Sequence, residues 1–101
     1  EHFGDLSLIH YYRGSIYFPL GNINGCLEQH ELARQNAQKA DSPEKEANAL
    51  SGLGDAYYLQ GHFRSANEQF GRCVSLCREN GITQNVSTNL AMFGHTKLYL
   101  L

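Results

Sequence analysis

Cys73 and Cys77 stand four residues apart, a spacing that brings two thiols to one face of a helix. Together with His62, His30 and Cys26 they are the set from which a zinc or redox site could be drawn. A closed zinc site needs four convergent ligands, and the chain has neither a CxxC nor an HxxxH pair. The alternative is that these thiols are small apolar groups filling a core, and that is how we read them. The five histidines offer general acid–base chemistry. None accompanies a nucleophile motif, and there is no GxSxG elbow and no phosphate-binding glycine loop. No catalytic residue, metal or cofactor is expected within this stretch.

The residues left without chemistry fall into a pattern. Shifting the sequence by 40 residues superimposes Gly14, Gly54 and Gly94, and pairs Tyr17 with Tyr57, Gly21 with Gly61, Glu28 with Glu68, and Leu50 with Leu90. Within each unit the apolar positions step by three and four. Phe63, Ala66, Phe70, Cys73 and Cys77 form one helical stripe, and Ile23, Cys26, His30, Ala33 and Ala37 form the same stripe one unit earlier. Ala47, Leu50, Gly54 and Tyr57 make a second face, with Leu53 beside it, which Val86, Leu90 and Phe93 begin again.

Local signals place the breaks. Ser42 can cap a helix that starts at Pro43, with Glu44 and Glu46 complementing its dipole. Gly21 and Gly61 interrupt, Asn80-Gly81 stops a helix, and Ile82 is positioned to fold back on the preceding turn. The expectation is an all-α chain with helices over roughly 4–20, 22–39, 43–60, 62–79 and 82–100. Pro19 should kink or shorten the first.

The spacing Leu50, Leu53-Gly54, Tyr57, Ala66, Phe70 resembles the tetratricopeptide repeat signature W-x₂-L-G-x₂-Y…A-x₃-F, with leucine for tryptophan and Arg78 where the proline would stand. In the first unit Gly14, Tyr17 and Cys26 hold the pattern while His10 and Arg13 replace the leucines. The third unit keeps Leu90, Phe93 and Gly94 and has Lys97 at the tyrosine position. Cys26 and Cys73 sit at small positions where the family usually has alanine. The resemblance implies antiparallel hairpins stacked in a right-handed α-solenoid of about two and a half repeats: 4–39, 43–79 and a lone first helix, 82–100, in one domain over 1–101. Its 40-residue period exceeds the usual period of about 34 and is similar to the long repeats of kinesin light chains and bacterial quorum-sensing regulators. The segments FPLGNINGCLEQHELA, GLGDAYYLQGHF and RCVSLCRENG are also similar to repeat regions of bacterial signalling proteins that carry ATPase or nucleotide cyclase modules.

In that family the first helix of each hairpin lines a concave surface. The resemblance therefore implies a groove of Tyr11, Tyr12, Ser15 and Phe18, then Asn48, Ser51, Asp55 and Tyr58, then Thr88, Met92, His95 and Tyr99. Such a groove suits a protein or peptide segment. Asp55 would favour a basic or amide-rich ligand, and His95 could make that preference depend on pH. The alternative is that these aromatics only pack between repeats. The lysine, asparagine and arginine clamp by which some relatives grip C-terminal carboxylates has no counterpart, since Tyr11, Ser15, Gly52, Thr88 and Met92 occupy the matching places.

Composition narrows the partners. A net charge of −2 gives no general attraction to nucleic acid or an acidic membrane, and no apolar run is long enough to span a bilayer. Three cysteines without small-secreted-domain density suit reduced thiols in a cytoplasmic protein. The chain opens on Glu1 and closes on Leu101 after Leu-Tyr-Leu, so a piece of a longer protein is expected. On the last helix Leu90, Phe93, Leu98 and Leu101 are expected to lack a packing partner. The leading expectation is a non-catalytic interaction scaffold in a larger signalling protein. Self-association through the outer face, or a small-molecule or metal sensor, are the alternatives.

Overall fold

The computed structural model describes residues 2–84 and 86–101. Among these the chain forms five helices and no strand: α1 (Phe3–Tyr17), α2 (Ile23–Lys39), α3 (Pro43–Leu59), α4 (Phe63–Glu79) and α5 (Val86–Leu98). Each helix packs against its neighbour in sequence, and α1 also meets α3.

The turns follow a period of 20 rather than 40. Asn22, Ser42, His62 and Ile82 each donate a backbone N–H to a carbonyl five residues back, those of Tyr17, Ala37, Tyr57 and Cys77. The residue just before each donor is left-handed: Gly21 (φ 78°), Asp41 (φ 52°), Gly61 (φ 77°) and Gly81 (φ 66°). This is the Schellman closure, in which a left-handed residue lets the chain turn back to cap orphan carbonyls. The Ser42 side chain accepts from the backbone N–H of Lys45, and Asn22 does the same for Gly25.

Two expected boundaries are corrected. The first helix ends at Tyr17 rather than 20: Phe18 still has helical dihedrals and donates to the Gly14 carbonyl, but Pro19 has no N–H with which to continue the ladder. The last begins at Val86 rather than 82, because Ile82 is drawn back against the core of Ala47, Leu50, Cys73 and Cys77.

The core is built from small residues. Cys26, Ala33, Ala37, Ala49, Ala56 and Ala66 have no exposed surface, and Leu50, Leu53, Phe70, Val74, Cys73 and Cys77 are buried beside them. Glycine marks the closest approaches within a hairpin. A Cβ at Gly54 would lie 2.6 Å from the Phe70 ring, and one at Gly14 would lie 2.8 Å from the His30 ring. The two glycines are 40 residues apart, as are the two rings, so the hairpins α1–α2 and α3–α4 cross in the same way. Other paired contacts repeat with the chemistry exchanged. The Ser7 hydroxyl donates to the Ala33 carbonyl at 2.8 Å, while at the equivalent pair the Cys73 thiol donates to the Ala47 carbonyl at 3.3 Å. Gln29 Oε1 accepts from His10 at 2.7 Å; at the equivalent pair Leu50 replaces the histidine, and the buried Oε1 of Gln69 has no hydrogen-bond partner among the described residues.

The end helices depart from expectation in an ordered way. On α5 the buried residues are Asn89 and Thr96, not Leu90, which is 38% exposed. Asn89 and Thr96 lie 40 residues after Ala49 and Ala56, so α5 keeps the rotation of α3. Its other face, with Gly94, has no helix against it among the described residues, and a Cβ at Gly94 would meet nothing within 4 Å. Phe93, expected to lack a partner, has one: its ring covers Gly71 of α4. Asn67 completes the contact by donating to the Phe93 carbonyl and the Thr96 hydroxyl, both at 2.9 Å. On α1 the counterparts of Ala49 and Ala56 are Ile9 and Ile16, which are 46% and 60% exposed.

Candidate functional site

The twelve residues expected along the groove separate into two clusters and several outliers. Tyr11, Ser15 and Phe18 from α1 and its C-terminal end meet Ser51, Gly52 and Asp55 of α3 around a cavity of about 150 Å³, floored by His30 of α2. Their convergence follows from helical spacing. Positions 11, 15 and 18 share one face of α1, positions 51, 52 and 55 share one face of α3, and the two helices touch. His30 fills the space between them because Gly14 and Gly52 have no side chains; a Cβ at Gly52 would lie 2.5 Å from its ring.

The electrostatics of this cavity are unusual. Burial pushes the Asp55 carboxyl up to about 6 and the His30 imidazole down to about 4. At neutral pH the carboxyl is therefore ionised and the imidazole is not, so the two do not form an ion pair. His30 is almost fully buried, and among the described residues its Nδ1 has no hydrogen-bond partner. The neighbouring Cys26 thiol is pushed up to about 11, first by burial and then by the charge of Asp55. The Ser15 hydroxyl donates to the Tyr11 carbonyl at 2.9 Å, so it serves its own helix.

The second cluster joins α3 to the end of α5. Tyr58 Oη and His95 Nε2 share a hydrogen bond of 2.9 Å. Tyr99 stacks on Phe63 of α4 with centroids 4.1 Å apart and meets both His95 and Tyr58 edge-on. Ser15, Asp55 and His95 occupy equivalent positions 40 residues apart but do not share one site. Ser15 and Asp55 share the first cavity, while His95 belongs to this aromatic cluster.

Asn48 and Ser51 border a narrow cavity of about 30 Å³ together with Tyr11, Cys73, Cys77 and Asn89. Tyr12 is exposed and tilted against Tyr11 at 5.7 Å. Thr88 is exposed, Met92 is half-buried, and the Met92 carbonyl accepts from Thr96 at 2.9 Å.

A larger depression, about 550 Å³, lies elsewhere. It is an open groove over α3, α4 and α5 with Glu46, Glu68, Arg72 and Glu79 among its walls and Leu50, Gly71 and Phe93 on its floor. Leu50 and Phe93 are hairpin-packing positions, so the groove follows from the uncovered face of α5. The cysteines are buried, and burial, followed by the neighbouring Cys77, pushes the Cys73 thiol up to about 12. A thiol held protonated is a poor nucleophile and a poor ligand. Among the described residues no group of three or more His, Cys, Asp or Glu side chains could hold a metal ion, and no helix is long and apolar enough to cross a membrane.

Sequence reasoning missed the role of His30 as the cavity floor, the stacking of Phe63 on Tyr99 and the bridge from Asn67 to α5. The first was signalled by Gly14 and Gly52, small residues facing the histidine from two helices. The other two had no sequence signal, because they depend on how α4 and α5 are turned toward each other.

No curated protein and no solved structure matches the chain. The family profile described as Tetratricopeptide repeat matches residues 5–79, spanning α1 to α4 and well over half of the sequence. With hairpins that cross at equivalent glycines 40 residues apart, the chain belongs to the tetratricopeptide-repeat family.

Proposed function

We propose that the chain is a non-catalytic interaction scaffold that binds a protein segment on the face shared by α1, α3 and α5. Tetratricopeptide repeats commonly mediate protein–protein interaction. The observation that carries the reading for this chain is the convergence of Tyr11, Ser15, Phe18, Ser51 and Asp55 around one cavity. In this reading the helices form a right-handed solenoid of about two and a half long repeats. It is a cytoplasmic regulatory or adaptor region of a larger signalling protein, of the kind that joins such repeats to an ATPase or nucleotide cyclase module. The face is aromatic and polar, as recognition surfaces with rigid anchors are. The test is affinity capture with the parent and with a Tyr12→Ala/Phe18→Ala variant, whose replaced side chains bury little of the core. Partners retained by the parent and lost by the variant support the reading. Identical partners for both folded proteins would move the binding face to the open groove over α4.

Self-association is the second reading, favoured by the exposed Leu6, Ile9 and Ile16 on α1. Ile9 and Ile16 occupy the positions at which α3 is sealed by Ala49 and Ala56. A chain that associates in sedimentation equilibrium, and that an Ile9→Glu/Ile16→Glu variant returns to monomer, would establish it. A monomeric parent would remove it.

A further inference from the structure

We propose that the cavity between α1, α2 and α3 is a socket for one arginine side chain of a bound segment, whose guanidinium meets the Asp55 carboxylate between the rings of Tyr11 and Phe18. The inference rests on the groove reading above and specifies its ligand.

Size argues for a single side chain. At about 150 Å³ the cavity holds the liquid volume of about five waters, taking roughly 30 Å³ for each. That is below the several hundred Å³ usual for a small-molecule site, yet enough for the head of one long residue.

Charge argues for a cation. Among the described residues no hydrogen bond reaches the Asp55 carboxylate, and burial alone displaces its titration, with no lysine or arginine countering it. Desolvating a carboxylate without a partner is unfavourable. The other titratable groups facing it do not supply one: His30 and Cys26 from α2 are neutral at pH 7, and Tyr11 from α1 is a phenol.

Shape argues for arginine over lysine. A guanidinium is planar, stacks on aromatic faces and carries five donors. The walls offer the rings of Tyr11 and Phe18, the carboxylate of Asp55 and the hydroxyl of Ser51. His30, 2% exposed, closes the floor beneath them with its Nε2 edge turned toward Gly14 and Gly52. The repeat itself does not ask for this arrangement, since the position equivalent to His30 is Phe70 and those equivalent to Asp55 are Ser15 and His95.

The probe is Nα-acetyl-arginine methylamide, titrated onto the ¹⁵N-labelled chain with the neutral citrulline analogue as control. The expected result is saturable movement of the Ser51, Gly52 and Asp55 amides, about tenfold or more weaker with citrulline and in Asp55→Asn. Binding should also weaken as pH falls from 7 to 5, because Asp55 then takes up a proton while His30 stays neutral. Equal movement with citrulline, or undiminished arginine binding in Asp55→Asn, overturns the proposal. Should that variant not fold, the wild-type carboxyl supplies the answer: saturating arginine must lower the Asp55 titration midpoint, and an unmoved midpoint overturns the socket. Failure of the probe while Tyr12→Ala/Phe18→Ala still abolishes partner capture would sink the socket and leave the groove standing.

Discussion

Alanine placed at Gly54 and at Gly94 should change stability unequally, although the two positions are equivalent in the repeat. Both glycines lie inside helices, so each substitution gains about 1 kcal/mol of helix propensity. At Gly94 nothing opposes the gain, because a Cβ there meets no atom within 4 Å. At Gly54 the new Cβ falls 2.6–2.8 Å from three carbons of the Phe70 ring. Phe70 has no exposed surface and cannot swing away, so either the ring leaves its rotamer or the hairpin opens. Overpacking of this kind costs about 1–3 kcal/mol. The two variants should therefore differ by about 1–3 kcal/mol, with Gly94→Ala above the parent and Gly54→Ala below Gly94→Ala. Urea unfolding followed by circular dichroism measures both. A thermal scan should separate them by several degrees, at roughly 4–8 °C per kcal/mol for a domain of this size. Phe70→Leu in the Gly54→Ala background should recover part of the loss, giving a coupling energy of about 1 kcal/mol in a double-mutant cycle. Two variants of equal stability, or no coupling to Phe70, would refute the crossing geometry.

Three further outcomes follow from the same structure. Asp41 holds the left-handed position that glycine takes in the three equivalent turns, so Asp41→Gly should stabilise the chain by about 0.5–1 kcal/mol; a loss in urea unfolding would contradict the 20-residue turn pattern. Native protein should resist thiol labelling by a disulfide reagent until it unfolds, since Cys26, Cys73 and Cys77 are buried and two of them are held protonated; stoichiometric labelling within the mixing time would overturn this. The pH dependence has a sign that can be worked out. Asp55 is raised from its ordinary 3.8 to about 6, so its favourable contribution is complete below 3.8 and is lost as pH rises through about 6. His30 is lowered from 6.5 to about 4, so its contribution is complete above 6.5 and is lost as pH falls through about 4. The two slopes oppose each other, leaving the parent nearly flat over that window. Asp55→Asn should expose the His30 slope and gain stability from pH 4 to 6.5, and a flat variant would contradict the assignment.

Much of the architecture was legible because it is local or periodic. The face of α3 that carries Gly54 and the α4 stripe through Ala66, Phe70, Cys73 and Cys77 each follow from steps of three and four. The breaks at Gly21, Gly61 and Gly81 follow from the backbone freedom that a left-handed turn demands. Asp41 was not legible as the fourth member of that set, because an aspartate can take the same conformation without announcing it. The burial of Thr96 and Asn89 in place of Leu90 was also hidden. Which face of the last helix is covered depends on what packs beside it, and hydrophobicity along the helix does not record that. The helix faces that carry the expected groove residues were legible, but the way those residues divide between two clusters was not. That Asp55 joins Ser15, while His95 turns to Tyr58, depends on side-chain reach across helices.

The most direct measurement for the binding face is photo-crosslinking with benzoylphenylalanine placed in turn at Ser15 and at Arg72. Both side chains are exposed, one at the cavity of α1 and α3 and the other at the open groove over α4. The crosslinked products from the source cell, resolved by mass spectrometry, should contain a protein segment bearing arginine when the label is at Ser15 and not when it is at Arg72. Capture of the same segment only from Arg72 would contradict the account and assign recognition to the opposite groove.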